Sequence, residues 1–259
     1  DNLFHHPNVG PFIARRLIQR LVTSNPSPAY VQRVAAAFDN DGSGVRGDLK
    51  AVLRTILLDV EARFGQWHLA DRFGKLREPL VINTHLWRAM EATTESGRIA
   101  TLSPYPGIED WYGQGPLRSQ SVFNFFRPDF RQQGEIAALG LYSPEFQIVN
   151  DSIAVSTGNR LFSLSFCWHS DEWSCWADNY NGTRTMALNT ARDATLAASN
   201  PGAVLDRYNL LFMSGQMSPF MRATLLTRMN AISGNNFGRL RVQHALYLIL
   251  NSPEYVIQK

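Results

Sequence analysis

A histidine and two carboxylates fall within four residues of one another in "CWHSDEWSC", as His169, Asp171 and Glu172, among Trp168, Trp173 and Trp176. Imidazole and carboxylate are the common ligands of metals and the common carriers of protons, so the cluster could serve either purpose. The indoles could instead form an aromatic platform for a sugar or another flat-faced ligand. An exposed loop with core-packed tryptophans is the preferred account, because the spacing matches no helical HExxH pair. Glu109 is a further carboxylate that could join Asp171, Glu172 and His169 in a hydrolase or lyase site, since glycosidic cleavage needs two carboxylates across one bond.

A second constellation is "FDNDGSGVRGDLKAVL", where Asp39, Asp41 and Ser43 take alternate positions and Gly44 the sixth. Calcium loops of the EF-hand type place oxygen ligands in this way and close with a bidentate carboxylate at the twelfth position. The twelfth residue here is Lys50, so closure would fall to Asp48 in a loop shortened by two residues. Asp48 also stands directly before a helical stripe, where a carboxylate accepts the free amide protons of the first turn. Calcium and a capped turn are both open, and the capped turn needs no metal. No other cofactor is indicated: GxSxG elbow, P-loop and dinucleotide fingerprints are all missing.

Helices must position these groups. In "VGPFIARRLIQRL" the residues Val9, Phe12, Ile13, Leu17, Ile18 and Leu21 recur at three- and four-residue spacing, which predicts an amphipathic helix buried along that stripe. Ser27 with Pro28 supplies a hydroxyl cap and a first-turn proline for a second helix. A third follows Asp48, with Leu49, Val52, Leu53, Ile56 and Leu57 on one stripe. Near the C-terminal end the plan recurs with Ser218-Pro219, and the glutamates Glu61 and Glu254 stand at nearly constant offset from the serines. This predicts an internal duplication of a three-helix unit, with repeat units 17–64 and 210–257. Between them, the glycine, proline and aromatic residues of "SPYPGIEDWYGQGPLRSQSVFNFFRPDF" predict a long ordered loop. Partial alternation in "RLFSLSFCW" predicts short strands. The fold expected is mainly α, a single helical domain over 1–259 with long ordered loops.

Composition narrows the partners. Of 259 residues, 44% are hydrophobic and 18% charged, which is ordinary globular material. The net charge is +3 and the basic residues are scattered, so no dense stripe points to nucleic acid. The longest apolar run, "ALYLIL", is far short of the roughly 20 residues of a membrane span. "DNLFHHPNVG" lacks the basic start and apolar core of a signal peptide. Cys167 and Cys175 are near enough for a small disulfide loop, and two buried free thiols fit equally well.

At "HPNVGPFIARRLIQRLVTSNPSPAYVQRVAAAF", "GSGVRGDLKAVLRTILLDVEAR", "KLREP", "GQGPLRSQSVFNFFRPDF", "GLYSPEFQI" and "LYLILNSPEYVIQ", the chain resembles the bacterial family called domain of unknown function 1800 (DUF1800). The resemblance runs nearly end to end. It implies a helical, exported protein, secreted or periplasmic, whose relatives are often encoded beside a sulfatase-like partner family. It implies no reaction. Family members are considerably longer, with "HPNVGPF" well inside them, so this chain resembles their C-terminal part, and an N-terminal half would be another partner. Export implies an oxidising compartment in which Cys167 and Cys175 would pair. The expectation is therefore a cell-surface or periplasmic binding or accessory module for a polymer or a partner protein; the alternative is a hydrolase or lyase on polysaccharide-like substrates.

Overall fold

The structure, a computed structural model, describes residues 1–93, 108–119, 124–166 and 188–259. The fold is mainly α. In chain order the helices are α1 (Val9–Leu21), α2 (Pro28–Asp39), α3 (Leu49–Leu58), α4 (Val60–His68), α5 (Pro79–Ala89), α6 (Ile108–Tyr112), α7 (Glu135–Ala138), α8 (Asp151–Phe166), α9 (Ala191–Ser199), α10 (Pro201–Met213), α11 (Pro219–Asn230), α12 (Phe237–Leu250) and α13 (Pro253–Val256). Two short strands, β1 (Lys75–Leu76) and β2 (Ile257–Gln258), pair antiparallel with Lys75 opposite Gln258.

The single domain expected over 1–259 is subdivided into two compact units. One comprises residues 1–76, 126–147 and 257–259, and the other residues 77–125 and 148–256. The first unit's core is built from Ile18, Tyr30, Val34, Phe38, Val52 and Ile56, all at or near full burial. The second unit has a larger core that includes Leu86, Leu205, Tyr208, Phe212, Leu246 and Ile249.

Local chemistry explains the helix starts. Ser27 is extended (φ −65°, ψ 152°), and its hydroxyl accepts the Tyr30 amide proton at 3.1 Å. Ser218 repeats this geometry (φ −64°, ψ 152°), accepting from Met221 at 3.0 Å. In both places a proline follows as the first helical residue, where its missing N–H costs nothing. The glutamates complete a latch. The Glu61 carboxylate accepts from both the amide and the hydroxyl of Ser27, and the Glu254 carboxylate does the same for Ser218. Segments 17–64 and 210–257 thus carry one device twice, once in each unit.

Two expectations are corrected. On α1 the expected Ile18 is buried and Val9, Ile13 and Leu17 pack against the core, but Phe12 and Leu21 are exposed, and Gly10, Ala14 and Gln19 are buried instead. Gly10 lies against Ala35 and Phe38 of α2, so small residues win the inward position because they let the two backbones approach. "RLFSLSF" is the end of α8 and not a strand: Thr157, Arg160, Leu161, Leu164 and Ser165 are buried at three- and four-residue spacing. The short alternation was a fragment of that longer period. In the second unit, Gly238 brings α12 against the Ala194 carbonyl of α9, where a β-carbon would overlap it.

Candidate functional site

The loop from Phe38 to Asp48 turns its oxygens on its own backbone. Asn40 Oδ1 accepts from the amides of Gly42 (2.8 Å) and Gly44 (3.0 Å), and Asp41 Oδ1 from those of Ser43 (2.8 Å) and Val45 (3.0 Å). The Ser43 hydroxyl, followed by these amides, holds the Asp41 carboxyl below its usual range. Asp39 is ion-paired with Arg46, whose guanidinium lies over Phe38 and Phe4. Asp48 caps α3 through the Lys50 and Ala51 amides, at 2.8 and 3.4 Å. A calcium ion would have to displace Arg46 from Asp39 and two amides from Asp41. Among the described residues, no three His, Cys, Asp or Glu side chains are gathered as a metal site.

An exposed apolar surface begins where this loop ends, at α3. The stripe expected on α3 divides in two: Val52 and Ile56 are fully buried, whereas Leu49 (54%), Leu53 (39%) and Leu57 (53%) are exposed. Those three leucines stand four residues apart and so form one line along the helix. On α4 the same happens at Val60, Phe64 and Trp67, with the last two rings 5.9 Å apart and Trp67 66% exposed. Leu58, also exposed, continues the apolar character across the junction. Single exposed leucines are commonplace, but an apolar surface of this extent marks an interaction site or an aggregation hazard. Sequence reading placed Leu49, Val52, Leu53, Ile56 and Leu57 on one stripe, and of these only Val52 and Ile56 are buried. Nothing local separates the two groups, because apolar residues at 49, 52, 53, 56 and 57 have the spacing of an ordinary core-facing stripe.

In the second unit, Glu109 of α6 pairs with Arg118 at 2.9 Å. Near it in the chain, Gln114 Nε2 donates to Glu78 at 2.9 Å and Gln114 Oε1 accepts from the Leu80 amide. This bond ties the "GQGPLRSQ" phrase to the start of α5. His85 lies between the Tyr255 hydroxyl (2.9 Å, at Nδ1) and the Leu211 carbonyl (3.1 Å, at Nε2). A carbonyl only accepts, so Nε2 carries the proton and Nδ1 accepts from the tyrosine. Burial, then the nearby Arg77 guanidinium, lowers its pKa, which leaves it a neutral core histidine. His169, Asp171, Glu172, Cys167 and Cys175 lie outside the described residues, so neither the proposed cluster nor the disulfide is placed.

The family model described as "protein of unknown function (DUF1800)" matches residues 1–257. The chain belongs to the DUF1800 family. No curated protein and no solved structure matches it. In this DUF1800 chain one residue, Asp59, ends α3 and begins α4. Its carboxylate receives two hydrogen bonds from Arg33, at 2.6 and 2.7 Å, and one from the Glu61 amide at 2.8 Å. Burial alone would raise the Asp59 pKa, but Arg33 and the amide outweigh it, and the pKa falls below the ordinary 3.8. A depressed carboxylate contributes stability that is complete above the unfolded value and is lost as pH falls through the folded one. Between pH 7 and pH 2.5 the urea midpoint of Arg33→Ala is therefore expected to fall less than that of the parent chain. An equal fall in both would show that this pair plays no part in the acid response.

Proposed function

We propose that this DUF1800 chain is an exported accessory module, secreted or periplasmic, that holds a partner protein through the apolar face of α3 and α4. The reading is carried by the line of Leu49, Leu53 and Leu57, continued by Val60, Phe64 and Trp67, all exposed. Burying such a surface supplies about 25 cal/mol per Å² of apolar area, and its exposed leucines, which outnumber the aromatic Phe64 and Trp67, offer a polysaccharide no hydrogen bonds, so a protein suits the face better than a polymer. Amphipathic helices of partner proteins commonly bind by laying an apolar face on an apolar surface. The partner class implied by the family is the sulfatase-like protein encoded beside such chains.

The alternative, a hydrolase or lyase using His169, Asp171, Glu172 and Glu109, draws no support from Glu109, which is engaged by Arg118. A calcium role for Asp39, Asp41, Ser43 and Asp48 is a secondary proposal, tested by a calcium-dependent rise in melting temperature.

The partner reading is tested by titrating the co-encoded sulfatase-like protein into the parent chain and into Leu49→Gln/Leu57→Gln. These exposed sites should change stability by only about 0.5 kcal/mol each, so the melting temperature should barely move. Binding should weaken about thirtyfold, as expected when hot-spot contacts worth roughly 2 kcal/mol are lost. Full binding by the variant, or none by the parent chain, would refute the reading.

A further inference from the structure

The two Ser–Glu latches put α3 and α12 in register. Counting back from Glu61 and Glu254, the residues Leu49, Val52, Leu53, Ile56 and Leu57 correspond to Val242, Ala245, Leu246, Ile249 and Leu250. One half of the comparison agrees: Val52 and Ile56 are as deeply buried as Ala245 and Ile249. The other half does not. Leu49, Leu53 and Leu57 are exposed, but Val242, Leu246 and Leu250 are each 0% exposed.

The difference lies in the neighbours. α3 packs on α1, α2 and α4, and α12 packs on the helices in the corresponding places, α10, α11 and α13. α12 also packs on α8 and α9, which among the described residues have no helix in the corresponding place against α3. The second unit therefore shows what covers such a stripe when it is covered: additional helices lying on the same element. Charge then narrows the occupant. The exposed charged side chains of α3 and α4 are the cations Lys50, Arg54 and Arg63, whereas Asp59 and Glu61 are buried and engaged by Arg33 and Ser27. A second copy of this chain would bring the same cations to the interface and be repelled.

From this geometry we infer that α3 docks an amphipathic helix from a partner polypeptide, aliphatic on its contact face and acidic along its flanks. The inference rests on the partner-binding reading above and gives that partner its chemistry. Leucines at 49, 53 and 57 receive the apolar ridge, and Lys50, Arg54 and Arg63 fix its direction and speed its approach, as rim charges do.

Two hydrocarbon-stapled helical peptides with one leucine-rich face provide the probe, one with glutamate flanks and the other with lysine flanks, titrated into the full chain by calorimetry. The acidic peptide should bind about tenfold tighter at low salt, and the difference should shrink as salt screens the rim. Leu49→Gln/Leu57→Gln should abolish binding of both, and Lys50→Glu/Arg54→Glu should reverse the preference. Equal binding of the two peptides, no binding, or indifference to the leucine changes overturns the inference. If the peptides fail while the co-encoded partner still needs Leu49 and Leu57, only the helix chemistry falls and the partner reading survives. Sedimentation of the chain with phosphatidylglycerol vesicles in place of peptide binding would assign the face to a lipid surface, and a leucine-dependent dimer in sedimentation equilibrium would assign it to self-association. Either result also overturns the inference.

Discussion

Glu145→Ala is expected to destabilise the protein by about 3–5 kcal/mol, the usual cost of stranding one member of a buried ion pair. Its partner Lys75 has a side chain 6% exposed, with Nζ 3.2 Å from the Glu145 carboxylate and donating to the Arg20 carbonyl at 2.7 Å. With the carboxylate gone, that ammonium has one neutral acceptor and little water, so its charge is poorly compensated. Urea unfolding should show the loss as a lower midpoint with an unchanged slope. Lys75→Met/Glu145→Leu should recover most of it, because removing both charges removes the uncompensated one. A Glu145→Ala cost below about 1 kcal/mol would mean that water reaches the lysine and that the pair is not buried in solution.

Glu61→Ala should cost somewhat less, about 1.5–3 kcal/mol in total, because neither Ser27 group carries a charge that is left stranded. The change removes the acceptor of the Ser27 amide and hydroxyl together, and leaves the start of α2 with only the serine cap. Glu254→Ala makes the same deletion at Ser218, but that latch is open to water, which replaces lost partners. The expected order is thus Glu61→Ala more damaging than Glu254→Ala, read by thermal denaturation. The reverse order would show that the latches are not energetically matched to their burial.

Features set by neighbouring residues could be read from the chain itself. Ser27-Pro28, Ser218-Pro219 and Asp48 mark helix starts because a cap is a bargain struck within three residues. The offset between each serine and its glutamate was visible too, although the bonds joining them were not. What failed were judgements about which side of a helix meets something else. The burial of Gly10 and Ala14 in place of Phe12 depends on how near α2 comes. The leucines at 49, 53 and 57 resemble core in every local respect, and their exposure is a fact about the neighbours of α3. Ion pairs between distant positions, Arg33 with Asp59 and Lys75 with Glu145, give no local sign. The candidate cluster at His169, Asp171 and Glu172 was legible only as a list of side chains, since spacing alone does not bring them to one cleft.

The pairing of β1 with β2 gives the order of synthesis a role in folding. Leu76 is made before residues 77–256 and Ile257 after them, yet they face each other in one two-stranded sheet of the first unit. On the ribosome, that unit's helices α1 to α4 can assemble as soon as they emerge, because their contacts are local. Its edge at Lys75 and Leu76 then waits, with unpaired amide and carbonyl groups, while the whole of the second unit is translated. The same pairing is a clasp that can close only after residues 77–256 have been translated.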